Sequence, residues 1–217
     1  MIKQINLRAR ALWISIPSFL VLLCLVMMFF LNHEPPAFNP MAAATLHAQE
    51  HHHKVVTGYT TTSTLMETVD VMLNKRGGYM SNDILPPWVF LDNVPNWEFG
   101  VLTQVRDLAR AMRNDFSRSQ TQSTEDPDLS EEEPLFHYDN DRWFPPDTEG
   151  RYRKANLALE QYLTRLSSPN APEAQFYARA DNLVDWLAIV EKRLGSLSQR
   201  LSASVGQVRL NTDLSLI

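Results

Sequence analysis

The sequence predicts an all-α protein, with an N-terminal transmembrane helix followed by an extracytoplasmic bundle of about four amphipathic helices. Three observations lead there. Residues 11–31 form an apolar run without one charged side chain. Four later segments repeat apolar residues at steps of three and four, the period of a helix with one buried face. No alternation long enough for a strand appears, which leaves a helical bundle on a membrane stalk.

The run at 11–31 spans roughly 30 Å at about 1.5 Å per helical residue, the thickness of a bilayer's hydrocarbon core. Lys3, Arg8 and Arg10 precede it, and the first acidic residue is Glu34. Short segments rich in Lys and Arg stay on the cytoplasmic side, so residues 1–10 are expected in the cytoplasm and the remainder outside it. Trp13 suits the interface, and Pro17 is near enough the entry turn to be tolerated. A cleaved signal is the rival reading, with an A-x-A-like site at Ala42 and Ala44. Signal cores are usually about 7–15 residues, and this one is longer, with Pro35, Pro36 and Pro40 between it and any such site. An uncleaved signal anchor is therefore expected.

Cys24, the only cysteine, lies inside the run, so the exported part has neither a disulfide nor a thiol nucleophile. Three of the 20 Lys and Arg precede the run, whereas all 25 Asp and Glu follow it. An acidic exported domain is a poor partner for nucleic acid. Its stability must come from an apolar core, and the chain is long enough to build one.

Residues 32–56 read as a flexible tether, with three prolines, then small residues, then His51-His52-His53. The domain is expected over 57–217. Its first helix is predicted at 63–75, where Leu65, Met66, Val69, Met72 and Leu73 share a face. Thr64 and Glu67 can form a capping box there, and Gly77-Gly78 supplies the stop. The second is predicted at 97–118 behind Asn96, on the stripe Trp97, Val101, Val105, Leu108, Met112 and Phe116. The third, at 149–166, carries Tyr152, Ala155, Leu159, Leu163 and Leu166. The fourth opens after Asn170 and Pro172. Its heptad-like seam of Phe176, Ala180, Leu183, Leu187, Val190, Leu194, Leu197, Leu201 and Val205 extends about 45 Å. Residues 79–96, rich in proline and aromatics, and 119–148, polar and acidic, read as irregular.

Several strings carry a family resemblance: GYTTTSTL (58–65), GGYMSNDILPPWVFLDNVPNWEFGVLTQVRDLARAMRNDFSRSQTQSTEDPDL (77–129), AQFYARADNL (174–183) and GSLSQRLSASVGQVRLNT (195–212). Over about 57–213 the chain resembles the uncharacterised bacterial family called domain of unknown function 2333. The resemblance implies a single-pass inner-membrane protein of Gram-negative bacteria with a mostly helical periplasmic domain. It brings no assigned activity and no site residues. Members usually continue beyond the position of Thr212, so the domain is expected to be incomplete after Leu214-Ser215-Leu216-Ile217.

Four constellations merit weighing as sites. His47 and His51, four apart, would share a helical face beside Glu50, His52 and His53, but no apolar stripe supports a helix there. A solvated linker without metal is expected. Asp83, Asp92 and Glu98 surround Trp88, Phe90 and Trp97, the residue types of a glycan site: an acid, a base and rings for sugar faces. Ordinary packing over helix ends needs the same residues. Arg106, Arg110 and Arg113 form a stripe opposite the Val101, Val105 and Leu108 face. It reads as solvated, unless the acidic stretch 125–133 folds back onto it. Asp139-Asn140-Asp141 lacks the glycine and distal glutamate of a calcium loop. No phosphate-binding, dinucleotide, nucleophile-elbow or zinc-protease motif is present.

The expectation is a non-enzymatic, membrane-anchored periplasmic protein without a cofactor, which docks a protein partner or a second copy of itself. The alternatives are a glycan-binding or hydrolytic envelope protein using 83–98, and a carrier of lipid or a small ligand.

Overall fold

The structure, a computed structural model, describes residues 2–119 and 124–214, with side chains over 13–119 and 124–204. The side chains of Lys3, Arg8, Arg10 and Val205, and the end at 215–217, lie outside that description. Among the described residues the chain forms seven helices and no strand. These are α1 (Ile2–Leu31), α2 (Pro40–Glu50), α3 (Tyr59–Asn74), α4 (Asn93–Ala111), α5 (Pro127–Phe136), α6 (Thr148–Ser167) and α7 (Ala180–Leu214). A single 3₁₀ turn covers Trp88–Phe90, and α4 widens into a π turn at Met112–Phe116.

The helices α3, α4, α5 and α6 make the core; α2 lies on α3, and α7 runs along α4. Tyr59, Leu65, Val69 and Met72 of α3 meet Leu102, Val105 and Ala109 of α4, Leu129 and Phe136 of α5, and Tyr152, Leu159 and Leu163 of α6. A second, smaller cluster of Met80, Leu91 and Val94 receives Trp88 and, from α1, Met28 and Leu31.

Two of these helices replace predicted irregular segments. Residues 40–50 were expected within a tether. Instead the Asn39 side chain accepts hydrogen bonds from the Met41 and Ala42 amides at 3.0 and 3.2 Å, Pro40 opens the first turn, and Ala44 and Ala48 are buried. A face built of alanine carries almost no hydropathy signal, yet it permits close helix packing. Residues 127–136 were expected to be loop. Asp126 caps them through the amides of Asp128 and Leu129, and the buried face is Leu129, Glu132 and Phe136. One glutamate on that face hides the apolar period.

Helix starts also shift. The first predicted helix begins at Tyr59, not 63, so Thr64 is already internal, and its hydroxyl donates to the Thr60 carbonyl rather than capping. Gly58 precedes it at φ +89°, and a Cβ there would stand 2.2 Å from the Phe176 ring. The second begins at Asn93, which leaves Asn96 inside rather than at the cap. Phe176 lies before α7, not within it, and stacks on Phe116 with ring centroids 5.1 Å apart. The third predicted helix falls within α6, with Tyr152, Ala155, Leu159 and Leu163 buried and Leu166 packed against them.

Candidate functional site

The carboxylate nominated for glycan chemistry is sealed inside the fold. Glu98 has no exposed surface, and the Lys75 side chain that pairs with it is 2% exposed. Glu98 Oε1 also accepts from the Met80 amide at 2.8 Å, and Oε2 accepts from the Ser81 amide at 2.8 Å and the Ser81 hydroxyl at 2.5 Å. Lys75 Nζ donates further to the Met72 and Gly78 carbonyls. Burial lowers the Lys75 ammonium's pKa, and the charge and hydrogen bond of Glu98 oppose that shift. Every acceptor position of Glu98 therefore serves to hold the turn after α3 against α4, and no substrate can reach it.

The rest of that constellation does not converge. Asp83 and Asp92 are exposed, and burial with the Glu149 and Glu98 charges raises the Asp83 carboxyl. Trp97 packs on the main core, whereas Trp88 packs on the smaller cluster beside the end of α1. The two rings thus do not form one platform for a sugar.

The arginine stripe is only partly solvated: α5 and the residues flanking it engage Arg106 and Arg113, and Arg110 stays 56% exposed. Arg106 donates from Nε to the Phe136 carbonyl at 2.7 Å and from Nη2 to the Tyr138 carbonyl at 2.8 Å. Arg113 binds Glu125 at 2.7 Å and Glu133 at 2.9 Å, and Arg110 reaches Glu133 at 3.3 Å. The Ser130 hydroxyl and Arg113 hold the Glu125 carboxyl below its usual pKa. The fold-back of the acidic stretch thus occurs, and the charges of Arg106 and Arg113 are spent on holding α5.

Sequence reasoning placed His47 in a solvated linker, but the structure folds it against α3 and α6. His47 and His51 stack with ring centroids 4.4 Å apart. His47 Nε2 lies 2.9 Å from Glu160 Oε2, and His51 Nδ1 lies 3.4 Å from Glu160 Oε1. His47 Nδ1 and His53 Nδ1 stand 2.9 and 3.2 Å from the Tyr59 hydroxyl. No local signal marks Glu160, which is separated from His47 by 113 positions.

The seam on α7 remains open. Leu183, Leu187, Leu194, Leu197 and Leu201 are 46–70% exposed. A neighbouring face makes the contacts to the domain: Trp186 packs on the core, Asn182 donates to the Asp115 carbonyl at 2.6 Å, and Arg193 pairs with Asp107 at 2.5 Å. At the base of α7 an apolar cleft of about 340 Å³ is lined by Leu108, Phe116, Phe176, Leu183 and Trp186.

No curated protein and no solved structure matches the chain. A family model described as "Uncharacterized protein conserved in bacteria (DUF2333)" matches residues 7–216. Because that match covers nearly the whole length, the chain belongs to this uncharacterised bacterial family.

Proposed function

We propose that this protein is a single-pass, membrane-anchored envelope module that self-associates through α7. The observation that carries the reading is the seam at 183, 187, 190, 194, 197 and 201, which alternates steps of four and three and is largely uncovered by the domain. Five of those six residues are leucine, the pattern of a coiled-coil seam, in which each apolar knob needs a facing helix. A second copy is the favoured occupant. An anchor shared by all copies brings their α7 helices together in one orientation, and a leucine seam is complementary to itself.

Several features support the anchor. The part of α1 long and apolar enough to cross a membrane runs Trp13–Leu31, and none of its residues is fully buried. The residues before it carry Lys3, Arg8 and Arg10, which favours a cytoplasmic N-terminus and a periplasmic domain. Where Met28 and Leu31 meet the smaller cluster, the adjoining loop exposes Ile84, Leu85, Val89 and Phe90. An apolar collar at the end of the span suits the headgroup boundary.

Native mass spectrometry of the full chain, released from detergent, tests the reading. The expected result is an oligomer that Leu194→Glu with Leu201→Glu converts to monomer, with helicity by circular dichroism unchanged. A monomer at every concentration would exclude self-association. Retained lipid on that monomer would move the function to the cleft at the base of α7, whose volume suits part of an acyl chain.

A further inference from the structure

His47 in the last turn of α2 and His51 at its C-cap lie on one side, because residues four apart on a helix are neighbours. Glu160 reaches them from the middle of α6. One donor atom from each of the three lies within 4.8 Å of the others. Around a tetrahedral ion with bonds of about 2.0–2.2 Å, donor atoms stand about 3.4 Å apart. His47 Nε2 lies 2.9 Å from Glu160 Oε2, shorter than that value, and His51 Nδ1 lies 3.4 Å from Glu160 Oε1, equal to it. The His51 side chain is 45% exposed.

Two further features point to a cation. Glu160 Oε1 is buried and has no hydrogen-bond partner. Among the described residues Glu160 pairs with no Lys or Arg; the nitrogens beside its carboxylate are those of the two imidazoles. Behind His47, the hydroxyl of the fully buried Tyr59 lies 2.9 Å from His47 Nδ1 and 3.2 Å from His53 Nδ1. A His47 Nδ1–H that donates to Tyr59 leaves the Nε2 lone pair facing Glu160, and the phenol proton then goes to His53 Nδ1. A hydrogen-bond acceptor behind the ring orients a ligating imidazole in this way.

We propose that His47 Nε2, His51 Nδ1 and Glu160 bind one Zn²⁺ ion, with Tyr59 as the positioning residue. Two imidazoles and a carboxylate without thiolate suit a first-row divalent ion rather than Ca²⁺ or Mg²⁺, and three protein ligands leave the fourth position to water. The ion would tie α2 to α6. This inference does not depend on the pairing of α7.

The test is titration of the full chain, prepared in detergent without an affinity tag and stripped with a chelator, with Zn²⁺ against a chromophoric competitor. The expected result is one ion per chain. Binding should weaken at least tenfold in His47→Gln and Glu160→Gln and by about 10–100-fold in Tyr59→Phe, but not in His52→Ala. Cobalt substitution gives a second readout, since a tetrahedral site produces intense visible bands that Glu160→Gln should abolish. No stoichiometric binding overturns the proposal. Binding that survives Glu160→Gln and falls with His52→Ala overturns it too, by placing the ion on the exposed histidine run. If Glu160→Gln does not fold, an octahedral cobalt spectrum of the unaltered chain overturns it.

Discussion

Glu98 on α4 and Glu132 on α5 are the same residue type with the same burial, neither showing any exposed surface, yet their surroundings are opposite. Glu98 meets an ammonium, two amides and a hydroxyl. Both carboxyl oxygens of Glu132 lack a hydrogen-bond partner. Burial first, and the Glu133 charge second, push the Glu132 carboxyl well above the usual carboxylate range, whereas Glu98 is paired with Lys75. Burial alone therefore says little about what an acidic side chain does. The donors within reach determine whether it clamps two segments or weakens the helix that carries it.

The sharpest way to break the comparison is Glu98→Gln, which leaves Lys75 charged, buried and without its counter-ion. A loss of about 3–5 kcal/mol is expected in urea unfolding of the full chain. A loss below about 1 kcal/mol would mean that Lys75 reaches water and the clamp is dispensable.

Glu132→Leu should act in the opposite direction, raising stability by about 1–3 kcal/mol at neutral pH because it removes two unsatisfied buried oxygens. The pH dependence sharpens this. A carboxyl whose folded pKa exceeds its unfolded value of about 4.5 contributes stability in full below that value, and the contribution is lost as pH rises through the folded pKa. The unaltered chain should therefore weaken over that rise, and Glu132→Leu should flatten the curve. An unchanged slope would assign the dependence to other groups.

The smallest effect belongs to the rim of the same helix. Arg110 is 56% exposed and shares Glu133 with Arg113, so Arg110→Ala should cost no more than about 1 kcal/mol by thermal unfolding. A cost above about 2 kcal/mol would show that Arg113 does not hold Glu133 by itself.

These contrasts also show which parts of the fold were legible in the sequence. Helices α3 and α6 were readable because their buried faces are aliphatic and aromatic at steps of three and four. Helix α2 escaped because its inner face is Ala44 and Ala48, and α5 because Glu132 interrupts Leu129 and Phe136. The pairing of Arg110 and Arg113 with the acidic stretch could be read, since opposite charge and short separation are both local properties. Glu98 was weighed as part of a glycan site because Asp92 and Trp97 lie near it in sequence, and nothing near it announces Lys75.

The sequence by itself determined the apolar span, the helical class, the seam on α7 and the charge match between α4 and α5. Each is a periodicity or a composition expressed within a few turns of chain. Only the tertiary structure decided that Lys75 neutralises Glu98, that the seam faces away from the domain, and that Glu160 joins His47 and His51. Those outcomes depend on which surfaces come together when the core closes. Packing brings side chains within about 3 Å irrespective of their distance along the chain, so no local pattern records them.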